Sequence, residues 1–285
     1  GEIRIGERVV NDVPPKERDI AMVFQSYALY PHMSVAENIA FPLKAHGVGH
    51  AERAAKVKWA ADLLGIVPLL KRRPARLSGG EKQKVALARS LVRDPQLFIF
   101  DEPLSSLDAQ VRTMARSELR QLHDRTGVTT VYVTHDQLEA LGMGDRIAIM
   151  QHGRVHQLGT PQQLYDDPAD TFVAGFLGSP PMNMLKRDGR IVGFRPEYVL
   201  PRQDATPADA LALPMRVMQL EFLGAHWLVY GQLHNAAEAE KLLAKASQPV
   251  AAHLHVGERH VFAVERRHLR FFDAETGLRI ADAGR

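Results

Sequence analysis

The segment Leu97-Phe-Ile-Phe100 constrains the fold more than any other part of this chain. Four consecutive apolar residues cannot serve a strand with one wet face, which needs alternation. The run is too short for an amphipathic helix and suits a strand covered on both faces, as in a parallel sheet. Thr129 to Thr134 reads as a second buried strand, and Ile20 to Phe24 is a third short apolar run. Helical patterns lie between them. Val85, Ala88 and Val92 share one helical face, as do Val111, Ala115, Leu119 and Leu122. This alternation over residues 1–160 predicts an α/β domain.

Local signals place the element starts. Ser34-Val-Ala-Glu37 and Ser78-Gly-Gly-Glu81 are capping boxes, in which serine and glutamate satisfy orphan backbone N–H groups reciprocally. Ala51 to Leu64 reads as a helix with Val57, Ala60, Leu63 and Leu64 on one face. Thr160-Pro161 is an N-cap followed by proline at the first helical position. Ile3 to Val10 reads as strand, and Arg146–Met150 with Val155–Leu158 as a hairpin through His152-Gly153.

Composition shifts near Gly178-Ser-Pro-Pro181. Beyond it, Arg190–Phe194, Met215–Leu223, His226–Leu233, His260–Glu265 and Leu269–Phe272 are short β runs separated by turn residues. They predict a small all-β domain, barrel-like in form, with Ala236 to Ala246 as its one helix. His253 and His255 alternate on a predicted strand and read as strand-face histidines rather than metal ligands.

A chain of 285 residues suits two domains, and 45% hydrophobic residues suffice to build their cores. The absence of cysteine excludes disulfides, thiolate metal sites and cysteine nucleophiles. With 36 basic and 33 acidic residues the net charge is only +3. The densest basic cluster, Lys71, Arg72, Arg73 and Arg76, is too short for a nucleic-acid stripe and reads as a solvated helix end. No apolar run approaches the ~18 residues that span a bilayer, and no secretory signal is visible. Any work at a membrane would need another chain to do the spanning.

Chemistry concentrates at strand ends. Asp101-Glu102 closes the Leu97–Phe100 run, and ligands of open parallel sheets bind beyond the carboxyl ends of the strands. A carboxylate pair there can divide labour: one holds Mg²⁺, the other orients or deprotonates a water. By itself the pair also fits a cap and turn, since Pro103 follows. His135 closes the Thr129–Thr134 run, where it can donate to a phosphate or simply sit satisfied at a strand end. Leu77-Ser-Gly-Gly-Glu81 opens a helix, and capping and anion binding use the same N–H groups.

Gln25, Leu77-Ser-Gly-Gly-Glu81, Phe100-Asp-Glu-Pro103, Ser106-Leu-Asp108 and Thr134-His-Asp-Gln137 occur in one order, each in its expected context. This set resembles the ATP-binding cassette family. Gln25 matches the Q-loop, Ser78 to Glu81 the signature motif, Asp101-Glu102 the Walker B pair, Asp108 the D-loop and His135 the switch histidine. Asn11-Asp-Val-Pro-Pro-Lys16, Phe194-Arg-Pro-Glu197 and Phe272-Asp-Ala-Glu-Thr-Gly277 extend the likeness to maltose-type carbohydrate importers and, less specifically, glycerol-3-phosphate importers.

The resemblance implies a P-loop-type α/β cassette over residues 1–177, with a helical subdomain at about 34–92, and an OB-like β regulatory domain over 178–285. It implies ATP and Mg²⁺ as ligands. Gln25, Ser78, Gly79, Gly80, Glu81, Asp101 and Asp108 would bind nucleotide, Asp101 and Gln25 would hold the metal, and Glu102 and His135 would be catalytic. It implies pairing with a second cassette subunit as a homodimer, two integral membrane permease subunits and an extracytoplasmic solute-binding protein, at the cytoplasmic face of the plasma membrane. It implies no nucleic acid partner. Two positions depart from the family pattern: Glu81 stands where Gln is usual, and Ser106 where Asn is usual.

A third departure is larger. The phosphate-cradling pattern G-x-x-x-x-G-K-[ST] does not occur in these 285 residues. Gly1-Glu-Ile-Arg-Ile-Gly6 is followed by Glu7 and Arg8 and lacks the lysine and hydroxyl. The chain reads as entered in mid-domain, and these residues alone are expected to bind ATP weakly and to hydrolyse nothing. The alternative is an interaction-only cassette that pairs with a complete subunit. A soluble cassette ATPase of repair or translation is disfavoured by the C-terminal β domain.

Overall fold

The computed structural model describes residues 1–233 and 240–281. The chain divides into two compact units, Gly1–Gly144 and Asp145–Arg285.

The first unit opens with a hairpin of β1 (Arg4–Ile5) and β2 (Arg8–Val9). The continuous strand expected over Ile3–Val10 is broken at Gly6, whose φ of 55° turns the chain back on itself. Three parallel strands follow, β3 (Ile20–Val23), β4 (Leu97–Asp101) and β5 (Thr129–Val133), in the order β3-β4-β5. Between β3 and β4 come α1 (Val35–Ala45), α2 (His50–Leu63) and α3 (Gly79–Leu91). Between β4 and β5 lies α4 (Ala109–Thr126), and α5 (Gln137–Met143) follows β5.

Both capping boxes form as their spacing dictates. The Ser34 and Ser78 hydroxyls accept from the N–H groups of Glu37 and Glu81, whose carboxylates accept from the serine N–H groups. α3 serves two cores. Its Val85 and Ala88, with Val92 just past its end, pack with Val35 and Ile39 of α1 and Val57 and Ala60 of α2. Its Leu87 and Leu91 pack with Phe98 and Phe100 of β4 and Leu119 and Leu122 of α4. The expectation of a fully buried β5 does not hold. Val131 and Val133, two apart and so on one face of β5, are 49% and 46% exposed, because that face is left half open among the described residues. A run of β-branched residues reports strand propensity, not whether a strand is central or at an edge.

The second unit begins with a hairpin, β6 (Ile147–Gln151) and β7 (Arg154–Gly159), then α6 (Pro161–Asp166) and α7 (Thr171–Phe176). Thr160 and Gln163 form a third capping box at the start of α6. Two antiparallel sheets follow, built from β8 (Asn183–Arg187), β9 (Arg190–Phe194), β10 (Leu200–Pro201), β11 (Leu211–Phe222), β12 (Trp227–Leu233), β13 (Lys241–Ala246), β14 (Arg259–Val264), β15 (Arg270–Asp273) and β16 (Arg279–Ile280). One sheet runs β10-β14-β11-β12-β13 and the other β16-β15-β9-β8. They share one core, in which Phe194 and Val192 meet Leu213, Val229 and Phe262.

Two expectations fail in this unit. The helix read over Ala236–Ala246 is strand β13 from Lys241 onward, while 234–239 lie outside the described residues. Leu242, Ala244 and Ala246 alternate into the core, and that burial overrides the helical preference of an alanine-rich run. His253 and His255 are not on a strand; they follow the single helical turn α8 (Gln248–Ala251). His255 Nδ1 and His260 Nε2 both face Glu258 Oε2, at 3.4 and 3.1 Å.

Candidate functional site

The carboxyl edge of the β3-β4-β5 sheet brings three of the sequence-selected side chains together. The register sets this up: Phe100 lies opposite Val23 and Tyr132, and Asp101 opposite Val133. Gln25 leaves the sheet two residues beyond Val23, Glu102 follows Asp101, and His135 comes two residues after Val133. Gln25 Nε2 donates to Glu102 Oε2 at 3.3 Å, and His135 Nδ1 lies 3.2 Å from Glu102 Oε1. Each oxygen of the Glu102 carboxylate thus has its own nitrogen partner.

Backbone geometry fixes Glu102 further. Its N–H donates to Val133 O at 3.0 Å, and its φ of 45° lies in the left-handed region. For a non-glycine residue that conformation costs about 1–2 kcal/mol and persists where the surroundings hold it. Ser105 supplies such a hold, donating both its N–H and its hydroxyl to Glu102 O. The His135 side chain is 74% exposed, so its ring is open to a ligand on the side away from Glu102.

The residues flanking His135 are anchored by a buried carboxylate that sequence reasoning did not single out. Glu139, 3% exposed, accepts from Tyr132 Oη at 2.9 Å and from Thr134 Oγ1 at 2.7 Å. Burial, and then the Glu139 carboxylate beside it, push the Tyr132 hydroxyl above the usual phenol range, so it remains a donor. Asp136 caps α5, its Oδ1 accepting from the N–H groups of Leu138 and Glu139.

The second group of residues lies at two helix starts. Ser78 caps α3, and Glu81 turns its Oε2 back to the Ser78 N–H at 2.7 Å, with Oε1 3.8 Å from Arg72 Nη1. Asp108 caps α4, accepting from the Val111 N–H at 3.0 Å. The two helix starts pack closely. A Cβ on Gly79 would sit 3.2 Å from Leu107 Cδ2, and one on Gly80 3.1 Å from Val111 Cγ1. Both glycines are therefore where α3 meets the loop bearing Asp108.

A family model described as ABC transporter matches residues 1–105, and one described as TOBE domain matches residues 192–272. The sn-glycerol-3-phosphate import ATP-binding protein UgpC of Cupriavidus necator is 43% identical over 316 residues, spanning 98% of this chain and 84% of that protein. Its namesake in Ruegeria pomeroyi is 45% identical over 304 residues, spanning 99% and 84%. That of Burkholderia pseudomallei is 44% identical over 311 residues, spanning 98% and 83%. The chain belongs to the ABC transporter ATP-binding family.

Membership in this ABC family makes the protein a nucleotide-binding cassette followed by an OB-like TOBE domain. No helix among the described residues is long and apolar enough to cross a membrane.

The ABC cassette also contains supports that no local motif announced. Arg89 on α3 donates Nη1 to Ala28 O at 2.6 Å and Nη2 to Tyr27 O at 2.7 Å. It pins the turn after Gln25, where Tyr27 and Ala28 both have positive φ. Desolvation lowers the Arg89 pKa from its ordinary value, a sign of how far the guanidinium is drawn out of water. Tyr27 Oη in turn meets Ser106 Oγ at 2.6 Å, joining that turn to the loop before Asp108. Arg89→Leu removes two charged donors from two carbonyls and is expected to cost about 2–4 kcal/mol locally. Hydrogen exchange read by mass spectrometry should quicken over Phe24–Tyr30 by at least about tenfold; unchanged protection there would refute the anchoring role.

Proposed function

We propose that this protein is the ATP-hydrolysing subunit of an importer for a carbohydrate or sn-glycerol-3-phosphate, coupling ATP hydrolysis to solute uptake. The observation that carries the reading is the Glu102 carboxylate held between Gln25 and His135 at the carboxyl edge of a parallel sheet. Glu102 is the general base: its two partners aim the carboxylate, and it takes the proton of the attacking water. His135 meets Glu102 through Nδ1, and as the imidazolium it carries a second N–H, on Nε2, that can donate to the γ-phosphate as charge moves onto it.

The residues present suit Mg²⁺. Gln25 gives its Nε2 to Glu102, which leaves its amide oxygen as one ligand for a hard cation, and the Asp101 carboxylate would be a second. When bound, the ion would neutralise phosphate charge. At the other helix start, Ser78, Gly79 and Gly80 face the γ-phosphate of a nucleotide held by a second copy, with Asp108 alongside. Glu81 is compatible with that role because its carboxylate is turned back on the Ser78 N–H and lies beside Arg72.

The implied assembly is a homodimer of cassettes on two integral membrane permease subunits, fed by an extracytoplasmic solute-binding protein, at the cytoplasmic face of the membrane. The functional boundary falls near Gly178, with the β domain regulatory. The solute is taken as sn-glycerol-3-phosphate from the names of the relatives that span nearly the whole chain. Uptake of labelled sn-glycerol-3-phosphate by cells deleted for this gene is the test. Uptake should fall to background and return with the complete reading frame. Undiminished uptake would remove the solute assignment, and loss of a sugar's uptake instead would redirect it.

A further inference from the structure

Arg112, on the first turn of α4, has no part in the roles given above. Its guanidinium reaches in two directions. Nη2 donates to Leu107 O at 2.8 Å, and Nη1 lies 3.5 Å from Asp136 Oδ2. Leu107 immediately precedes Asp108, and Asp136 immediately follows His135. One planar side chain therefore bridges the loop that carries Asp108 and the segment that carries His135.

Neither end of the bridge is slack. At the far end, Asp136 also caps α5 through Oδ1, and its N–H donates to Thr134 Oγ1 at 2.9 Å. Thr134 Oγ1 donates onward to the buried Glu139. The backbone on both sides of His135 is thus tied down, while the exposed ring meets Glu102. At the near end, Leu107 is 5% exposed and fills the space a Cβ of Gly79 would need, as Val111 does for Gly80. Gly80 and Val111 also line a pocket between α3 and α4, so the path through packed side chains runs from Gly79 to Leu107. A displacement at Gly79 would press on Leu107, whose carbonyl Arg112 links to Asp136.

We infer that Arg112 is a positioning residue that couples the Ser78–Gly80 helix start to His135. The inference rests on the proposed reading, in which that helix start meets a second copy's nucleotide while His135 and Glu102 serve the chain's own. Its consequence is that occupancy of one site sets the aim of the catalytic pair at the other. A guanidinium suits the task because its rigid fork fixes direction as well as distance; a lysine ammonium offers a single point of charge.

A double-mutant cycle in the protein expressed from its complete reading frame tests this. Asp136→Asn keeps the α5 cap, since asparagine caps as well as aspartate, and replaces the oxygen facing Arg112 by an amide nitrogen that cannot accept from it. Arg112→Met removes the bridge. Each single change should lower kcat by about tenfold with KM for ATP nearly unchanged, and the double variant should fall no further than either. Arg112→Lys should restore little of the loss. A kcat within about twofold of wild type in either single variant, or losses that multiply, would overturn the coupling. The ring signals of His135, assigned through His135→Gln, give a readout that needs no turnover. They should shift in both single variants; fixed signals in both would also overturn it. An inactive wild-type protein would count against the proposed function, while the ring signals would still decide on Arg112. If Arg112→Met does not fold, Asp136→Asn and Arg112→Lys carry both readouts.

Discussion

Glu102→Gln, made in the protein expressed from its complete reading frame, should stop ATP turnover and leave ATP binding intact. The substitution is nearly isosteric, and a glutamine at position 102 can still accept from Gln25 Nε2 through its carbonyl oxygen. What it cannot do is take a proton from water. Loss of a positioned general base lowers rates by about 10²–10⁴-fold, so steady-state phosphate release should drop by at least about a hundredfold. Equilibrium binding of labelled ATP should stay within about threefold, because the change is not in the phosphate contacts. Two companions separate this from general damage. His135→Ala should also lower kcat, since it removes the group facing Glu102 Oε1. Asp101→Asn should instead raise the Mg²⁺ concentration needed for turnover, because it weakens the oxygen ligand proposed for the ion. Near-normal turnover in Glu102→Gln would remove Glu102 from the role of base.

How much of this was legible in advance follows from how local each interaction is. The capping boxes at Ser34 and Ser78 were readable because they depend on residues three apart. The meeting of Gln25, Glu102 and His135 was readable because parallel strands deliver their ends to one edge. Three tertiary outcomes were not. The exposure of Val131 and Val133 depends on what packs over their face of β5, and no pattern within β5 encodes that. The hairpin at Gly6 needed a positive φ that a glycine permits but does not require. The alternating burial of Leu242, Ala244 and Ala246 was hidden because alanine is the best helix former and carries little strand signal.

The arginines explain the remainder. Arg89, Arg112 and Arg195 each reach carbonyls on other segments, and a lone arginine in a sequence looks the same whether it is solvated or buried. Their partners are set by the fold, so only the structure names them. The consequence for the site is direct. The proposed catalytic edge was visible as a list of residues, but the supports that hold it were not: Arg89 under the Gln25 turn, Glu139 beside His135 and Arg112 between two loops.

Arg195→Leu should be the most damaging single change in the second unit. Arg195 is 3% exposed, and its guanidinium donates to the carbonyls of Ala174, Leu177 and Tyr165 while lying 4.0 Å from the centre of the Tyr165 ring. Those carbonyls end α6 and α7, so one side chain ties both helices to β9. Desolvation lowers the Arg195 pKa from its ordinary value, yet the group stays cationic because three oxygens and a ring face replace its water. Leucine fills part of the volume and leaves three carbonyls without their donor. Each such loss costs about 1–3 kcal/mol, and partial recovery by water brings the expected total to about 3–5 kcal/mol. That is a large share of a typical domain's stability. The chain's two tryptophans make the measurement clean: Trp59 lies in the first unit and Trp227 in the second. In a Trp59→Phe background, Trp227 fluorescence during urea unfolding reports on the second unit alone. Gly178→Ala should weaken the same clamp from the opposite side, since its φ of 102° disfavours a side chain and its Cβ would lie 2.8 Å from Arg195 Nη1. The surface pair Arg187–Glu240 is the contrast: Arg187→Ala should cost less than about 1 kcal/mol. An Arg195→Leu penalty no larger than that of Arg187→Ala would show that the buried guanidinium is not what holds α6 and α7 to β9.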